Sequence, residues 1–210
     1  MSPLQQGAAE ELIAAVNADE FRVALLDGVT GAGKTEVYLE AVAAALARDP
    51  TAQALVLLPE IALTQAVLAR FEARFGARPV EWHSAITPKA RRRAWREVAA
   101  GRARLIAGAR SALFLPFPNL KLIVVDEEHD PSYKQDEGVA YQARDLTVAR
   151  AKQSNALVIL ASATPSLESY SNAKAGRYTH VRLPVLYGAA VLPEIERFDM
   201  KLVTPERVRW

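Results

Sequence analysis

GVTGAGKTEV, residues 28–37, decides the fold. Gly28 and Gly33 bracket a loop that runs into Lys34 and Thr35, with the spacing G-x-x-x-x-G-K-T. The residues before it, VALLD, read as a strand, and those after it, EVYLEAVAAALA, as a helix. A helix N-terminus carries unsatisfied N–H groups and a partial positive charge, which attract phosphate. Gly28, Gly31 and Gly33 let the backbone bend so that its amides point inward. In such a loop Lys34 reaches the β- and γ-phosphates, and the Thr35 hydroxyl sits on Mg²⁺.

Outward from this loop, short apolar runs alternate with helical patterns. Strands are expected at 22–28, 53–59, 104–109, 120–129 and 156–164, and helices at 34–48, 62–75, 88–100 and 143–153. The strands are continuously apolar, as parallel strands buried on both faces are. In the second helix Val67, Leu68, Phe71 and Phe75 form one stripe. This rhythm predicts an α/β fold, a mostly parallel central sheet with right-handed crossovers and helices on both faces. Residues 1–183 are read as one lobe. Residues 184–210, which gain prolines and lose the rhythm, are read as a linker or the start of a second lobe.

The chain has 210 residues, half of them hydrophobic and 24% charged, with a net charge of +2 and no cysteine. That is enough apolar material for a sizeable core. It excludes a disulfide scaffold or a cysteine-ligated zinc within this sequence. The first residues, MSPLQQGAAEEL, have neither the basic nor the apolar region of a signal peptide. No apolar run reaches the ~18 residues of a membrane span. The expected location is the cytoplasm, without a membrane partner.

A second constellation closes the strand LIVV with Asp126, Glu127, Glu128 and His129. Ligands of open α/β sheets sit at the carboxyl ends of strands, so this cluster should converge on the phosphate loop. Asp126 is expected to hold Mg²⁺, and Glu127 to orient or deprotonate an attacking water. Ser162 and Thr164 end another apolar strand, ASAT. With His129 they compose a hydrogen-bond relay between a nucleotide and a moving element, which a motor needs and a small-molecule kinase does not.

GAGKT, DEEH and SAT, in this order, resemble motifs I, II and III of superfamily 2 helicases. LLPEIALT, WHSAIT, ARSALFLPF, LIVVDEEHDPSYKQDEG and ASATPSLES are similar to the primosomal replication-restart helicases of that superfamily, from about Gln6 to about Leu183. The resemblance implies a RecA-like motor lobe that uses ATP and Mg²⁺ and moves 3′ to 5′ on DNA, with primosome and replication-restart proteins as partners. By position, Gln6 reads adenine and the loop from Gly28 to Thr35, Thr30 included, binds the triphosphate. Thr64, Arg110 and Ser111 contact the DNA backbone. Residues 132–145, with Tyr133, Lys134 and Tyr141, sense single-stranded DNA. Ala109, Ala140 and Gln142 stand where the family more often has Thr, Arg and His. The family's N-terminal DNA-binding domain, second lobe and zinc-binding cysteines are not in this sequence, so zinc is expected only elsewhere in a longer protein. The lobe alone is expected to bind ATP without unwinding DNA.

Two other readings use the same residues. One is a nucleotide-gated platform without catalysis, and the other a P-loop kinase of small metabolites. The cationic stretch PKARRRAWREVAAGRARL, residues 88–105, is read as a solvated helix face with Trp95 as its buried anchor, because charge runs usually are. Trp82, Tyr38, Phe71 and Phe75 are read as packing residues, and His83 as a secondary candidate for the DNA side.

Overall fold

The computed structural model describes residues 1–184. The expectation for 184–210 therefore lies, from residue 185 on, outside the described residues. The first element is a helix, α1 (Pro3–Asn17). It is followed by β1 (Arg22–Gly28), α2 (Lys34–Arg48), β2 (Gln53–Leu57), α3 (Gln65–Phe75), β3 (Val80–Trp82), α4 (Pro88–Ala99) and β4 (Leu105–Gly108). The second half adds β5 (Leu120–Asp126), a two-residue hairpin of β6 (Lys134–Gln135) and β7 (Tyr141–Gln142), α5 (Ala143–Ser154), β8 (Leu157–Ser162), α6 (Leu167–Lys174) and β9 (Thr179–Leu183).

Seven strands form one sheet in the order β3-β4-β2-β5-β8-β1-β9. Every pairing within it is parallel. Side chains alternate across each strand and so feed two cores. In β1, Ala24 and Leu26 enter the core under α1, α2 and α3, whereas Val23 and Leu25 enter the one under α4, α5 and α6. With apolar residues on both faces, every central strand reads as a continuous apolar run, which makes these strands the easiest to find in the sequence.

Several boundaries differ from expectation for local reasons. The third helix starts at Gln65 rather than residue 62. Glu60–Ala62 forms a 3₁₀ turn, and the Thr64 hydroxyl then accepts from the Val67 amide at 3.3 Å as N-cap. β5 ends at Asp126, because Glu127 turns into the left-handed region at φ 47°. Elements outside the expected set include α1, α6 and β9. α1 carries a complete capping box, in which Ser2 and Gln5 exchange side-chain and backbone bonds and Pro3 occupies the first turn. Its buried face is built from Ala8, Ala9, Leu12 and Val16, a faint apolar stripe. α6 is short, and the edge strand β9 buries only Val181 and Leu183. His180 of β9 bonds Asp27 of β1 at 3.0 Å, which fixes the register of that edge.

Gly108 ends β4 where the chain runs against its neighbours. A Cβ there would lie 2.6 Å from the Ala112 Cβ and 2.7 Å from the Trp82 carbonyl oxygen. Gly7, within α1, has nothing within 4 Å of the same position. Gly108→Ala is expected to cost about 1–3 kcal/mol by overpacking. Gly7→Ala is expected to stabilise by roughly 0.5–1 kcal/mol by raising helix propensity. Thermal unfolding of the two variants checks the opposite signs, at roughly 2–4 °C of Tm per kcal/mol for a chain of this size.

Candidate nucleotide site and DNA-facing edge

β1 delivers the chain to the phosphate loop and α2 leaves it. Gly31 and Gly33 both adopt φ 81°, and Gly33 is the helix N-cap. The amides of Gly33, Lys34 and Thr35 find no acceptor among the described residues, so they remain to serve a ligand at the start of α2. The buried Lys34 extends its Nζ to the carbonyl oxygen of Gly28 at 2.9 Å, across the mouth of the loop.

The glutamine against this loop is Gln5, not Gln6. Gln5 is 3% exposed, and its Nε2 donates to the Ala32 carbonyl at 2.9 Å. A Cβ on Gly33 would fall 2.3 Å from that nitrogen, so only glycine fits there. Gln6, about 100° further round α1, is exposed and donates to Glu10 instead. The capping box selects Gln5, because its Oε1 is held by the Ser2 amide at 2.8 Å.

β8 lies between β1 and β5, so the carboxyl ends of these three strands place Gly28, Ser162 and Asp126 side by side. Asp126 is gripped at both its carboxylate and its backbone. The Tyr38 hydroxyl donates to Oδ2 at 3.0 Å, and the Glu127 amide donates to Oδ1 at 3.0 Å. The Tyr133 hydroxyl donates to the Asp126 carbonyl at 2.7 Å. Burial pushes the Asp126 carboxyl above the usual carboxylate range, against the pull of its hydrogen bond from Tyr38. Burial, reinforced by the negative charge of Asp126, pushes both tyrosine hydroxyls well upward, so they stay protonated donors.

Two expectations change here. Tyr38 is buried as a packing residue should be, but its hydroxyl serves Asp126. The sequence carries a signal for this, since Lys34 and Tyr38 are four apart and share a helix face. Tyr133, expected in the DNA-sensing segment, is 1% exposed, and its hydroxyl too is spent on Asp126.

The four letters of DEEH divide their work. Glu127 is partly exposed beside Asp126. His129 Nδ1 shares a hydrogen bond of 2.7 Å with Ser162 Oγ, and the same oxygen accepts from the Thr164 amide at 3.0 Å. His129, Ser162 and Thr164 are thus joined by hydrogen bonds, Thr164 through its backbone amide rather than its hydroxyl. Glu128, which sequence reasoning passed over, is fully buried. Its Oε1 accepts from the Ser166 amide at 2.7 Å, and Oε2 from the hydroxyls of Ser166 at 3.0 Å and Ser169 at 2.9 Å. Arg144, in the first turn of α5, reaches the same oxygen at 3.4 Å.

The residues expected to face DNA line the adjacent carboxyl ends of β2 and β4. Thr64 is exposed, and Ser111 Oγ accepts from Trp82 Nε1 at 3.2 Å. The Arg110 guanidinium is turned inward, donating to the carbonyls of Ser132 at 2.9 Å and of Lys134. Lys134 is exposed and paired with Asp136 at 3.0 Å. Tyr141 is half-buried, edge-on to the Phe114 ring at 5.3 Å. His83 is half-buried and bonded to Glu81 at 3.4 Å. Trp95 does not anchor α4. It is 49% exposed, and Ala94 and Val98 are the buried residues of that helix.

A parallel sheet with a glycine-rich phosphate loop after β1 and an acidic strand end two strands away defines a P-loop NTPase lobe of the RecA-like helicase kind. The DEAD/DEAH box helicase family profile matches residues 2–173, and the chain belongs to that family. It is 44% identical over 203 residues to the replication restart protein PriA of Chlamydia pneumoniae, covering 96% of this chain and 27% of that protein. It is 42% identical over 197 residues to PriA of Bacillus subtilis, covering 94% and 24%. The chain thus spans about a quarter of the curated relatives it matches. Among solved structures it resembles RecG bound to a three-way DNA junction, with a TM-score of 0.62, 20% identity and 88% of this chain and 24% of that one covered. It also resembles the DUF1998 helicase MrfA bound to DNA and AMPPNP, with a TM-score of 0.61, 20% identity and 87% and 26% covered. No helix among the described residues is long and apolar enough to cross a membrane.

The raised Asp126 pKa has a stability consequence. Between its unfolded and folded values the native chain holds the extra proton, so stability falls as pH rises through that window. Asp126→Asn removes the buried charge and keeps an acceptor for the Glu127 amide. Its Tm is expected to exceed that of the parent above the folded pKa, and the gap to shrink on acidification. Melting curves across pH check both.

Proposed function

We propose that the chain is the ATP-binding motor lobe of a DNA-dependent ATPase and 3′–5′ DNA helicase of the replication-restart type. The single observation that carries this reading is the juxtaposition of the phosphate loop with Asp126 and with the His129–Ser162 bond. Relatives named as replication restart proteins at 42% and 44% identity support it, as do the helicases of similar fold that were solved bound to DNA.

The donor set suits Mg-ATP. The unpartnered amides at the start of α2 and the Lys34 ammonium complement the phosphates. The Thr35 hydroxyl and the Asp126 carboxylate, held by Tyr38, are the protein's ligands for Mg²⁺. Bound Mg-ATP supplies the phosphoryl group that is transferred to water. Glu127, more exposed than Asp126, accepts the proton of that water at its carboxylate. Gln5, rather than Gln6, braces the loop beside the base. The Glu127–His129–Ser162–Thr164 chain carries the state of the site toward the element that moves.

DNA lies over the ends of β2 and β4, on Thr64, Ser111 and Arg110, with Lys134 and Tyr141 of the hairpin beside it. The partners are DNA and the proteins of replication restart, in the cytoplasm. Zinc belongs to another part of the longer protein.

Calorimetric titration of Mg-ATP into the chain tests the reading. Lys34→Ala is expected to weaken binding at least about tenfold, the loss of ~1.4 kcal/mol or more expected for a charge-assisted contact. Hydrolysis by the isolated chain is expected to stay slow with or without single-stranded DNA. Rapid DNA-stimulated turnover by the chain alone overturns the division of labour between lobes. Nucleotide binding that ignores Lys34 overturns the motor reading.

A further inference from the structure

Helix α4 carries a face that the nucleotide site does not use. Arg92, Trp95 and Arg96 recur at i, i+3 and i+4 and are exposed. Between Pro88 and Ala99 the helix holds five cations, Lys89, Arg91, Arg92, Arg93 and Arg96, against one carboxylate, Glu97, which is taken by Arg102 at 2.9 Å. Among the described residues, Arg92 and Arg96 make no salt bridge. An indole left half in water between two unpaired guanidinium groups is a poor way to solvate a helix, and no packing demand places it there, since Ala94 and Val98 bury the inner face.

The patch is continuous with the DNA-facing edge. Beside Trp95 a shallow groove is floored by Trp82 and bordered by Arg91, whose guanidinium lies 4.9 Å over the Trp82 ring. Arg91 also donates to the His83 carbonyl at 2.9 Å. The Trp82 indole N–H in turn holds Ser111, a residue of the proposed DNA track, at 3.2 Å.

We propose that the Arg92–Trp95–Arg96 face is a nucleic-acid strand site that extends the DNA track along α4, with backbone phosphates on the two arginines and a base stacked on Trp95. It rests on the DNA-motor reading. Arg92 and Arg96, four apart on the helix, have Cβ atoms ~5–6 Å apart, and both line the groove that Trp95 borders. Aromatic platforms between cations bind strands in a sequence-tolerant way, which suits a motor that must move along any sequence. An acidic protein segment would match the charge, but the hydrogen-bonded link through Trp82 to Ser111 ties the face to the nucleic-acid path.

Anisotropy of a fluorescein-labelled oligothymidylate, titrated with the chain at salt concentrations from about 50 to 200 mM, tests this. Arg92→Ala with Arg96→Ala is expected to lower the slope of log K against log salt by about 1.4, or ~0.7 for each single-strand phosphate that is no longer neutralised. Trp95→Ala is expected to weaken binding about 5- to 100-fold with an unchanged slope, and Trp95→Phe to restore most of it. Circular dichroism and Mg-ATP titration verify that these exposed substitutions leave the lobe folded.

Inert patch variants, alongside an Arg110→Ala variant that does weaken binding, overturn the patch and leave the DNA-motor reading standing. Failure of the parent chain to bind the oligonucleotide overturns both. Displacement of the label by poly-L-glutamate as effectively as by unlabelled oligothymidylate, lost in the same variants, overturns the patch in favour of an acidic protein partner.

Discussion

A carboxylate at a buried strand end must be held, or it will move to water. In this lobe Asp126 is held by two tyrosine hydroxyls, one on its carboxylate and one on its own carbonyl. Tyr38 arrives from α2, the helix that opens with the phosphate loop. Tyr133 arrives from the segment leading into the β6–β7 hairpin. The two bonds therefore tie to one residue a helix residue 88 positions away in sequence and a residue seven positions further on. Both hydroxyls are protonated donors at neutral pH, and burial pushes them further from ionising. A phenolate at either position would set a negative charge against Asp126.

Glu128 imposes a second constraint from the other face of the same turn. A buried carboxylate is tolerated only when its oxygens are satisfied. Here Ser166 and Ser169 cap it from the start of α6, and Arg144 supplies the opposing charge from α5. Loss of one partner would leave a charge in the core, so α5, α6 and the acidic turn hold their mutual positions. The left-handed backbone at Glu127 is what lets successive side chains part ways, with Asp126 toward the phosphate loop and Glu128 into the core.

Much of this is legible in the sequence because it rests on strong local patterns. The five central strands are continuous apolar runs, and the phosphate loop announces itself by spacing. His129 and Ser162 are bonded because β5, which ends three residues before His129, and β8, which Ser162 ends, are neighbours in one sheet. What escapes a sequence reading depends on tertiary context. α1 buries mainly alanines, so its apolar period is weak even though Ser2 and Gln5 spell its cap. Gln5 and Gln6 are adjacent letters, and only the helix phase tells which one faces the loop. What Tyr38 and Tyr133 do for Asp126 is hidden in the sequence because one hydroxyl's partner lies 88 residues away and the other's is a backbone atom. Trp95 reads as an inside residue because indoles usually are, but the phase of α4 is set by Ala94 and Val98.

The segment from Asp130 to Arg144 ends up fastened at both ends to the acidic turn, by Tyr133 to the Asp126 carbonyl and by Arg144 to Glu128. On either side of Tyr133, Arg110 grips the carbonyls of Ser132 and Lys134. Arg110 follows β4, on the edge where the proposed DNA track runs, so a strand phosphate that drew this guanidinium outward would release those carbonyls. The segment would then be free to shift only by pulling on Tyr133 or Arg144, and both pull on residues that flank Glu127. A coupling of this kind needs two arrangements of the segment that DNA and nucleotide favour unequally. The bonds of Arg110 define one of them. The other requires those carbonyls to find new donors, and the exposed, hairpin-forming stretch from Lys134 to Tyr141 is the part of the lobe with water at hand to supply them.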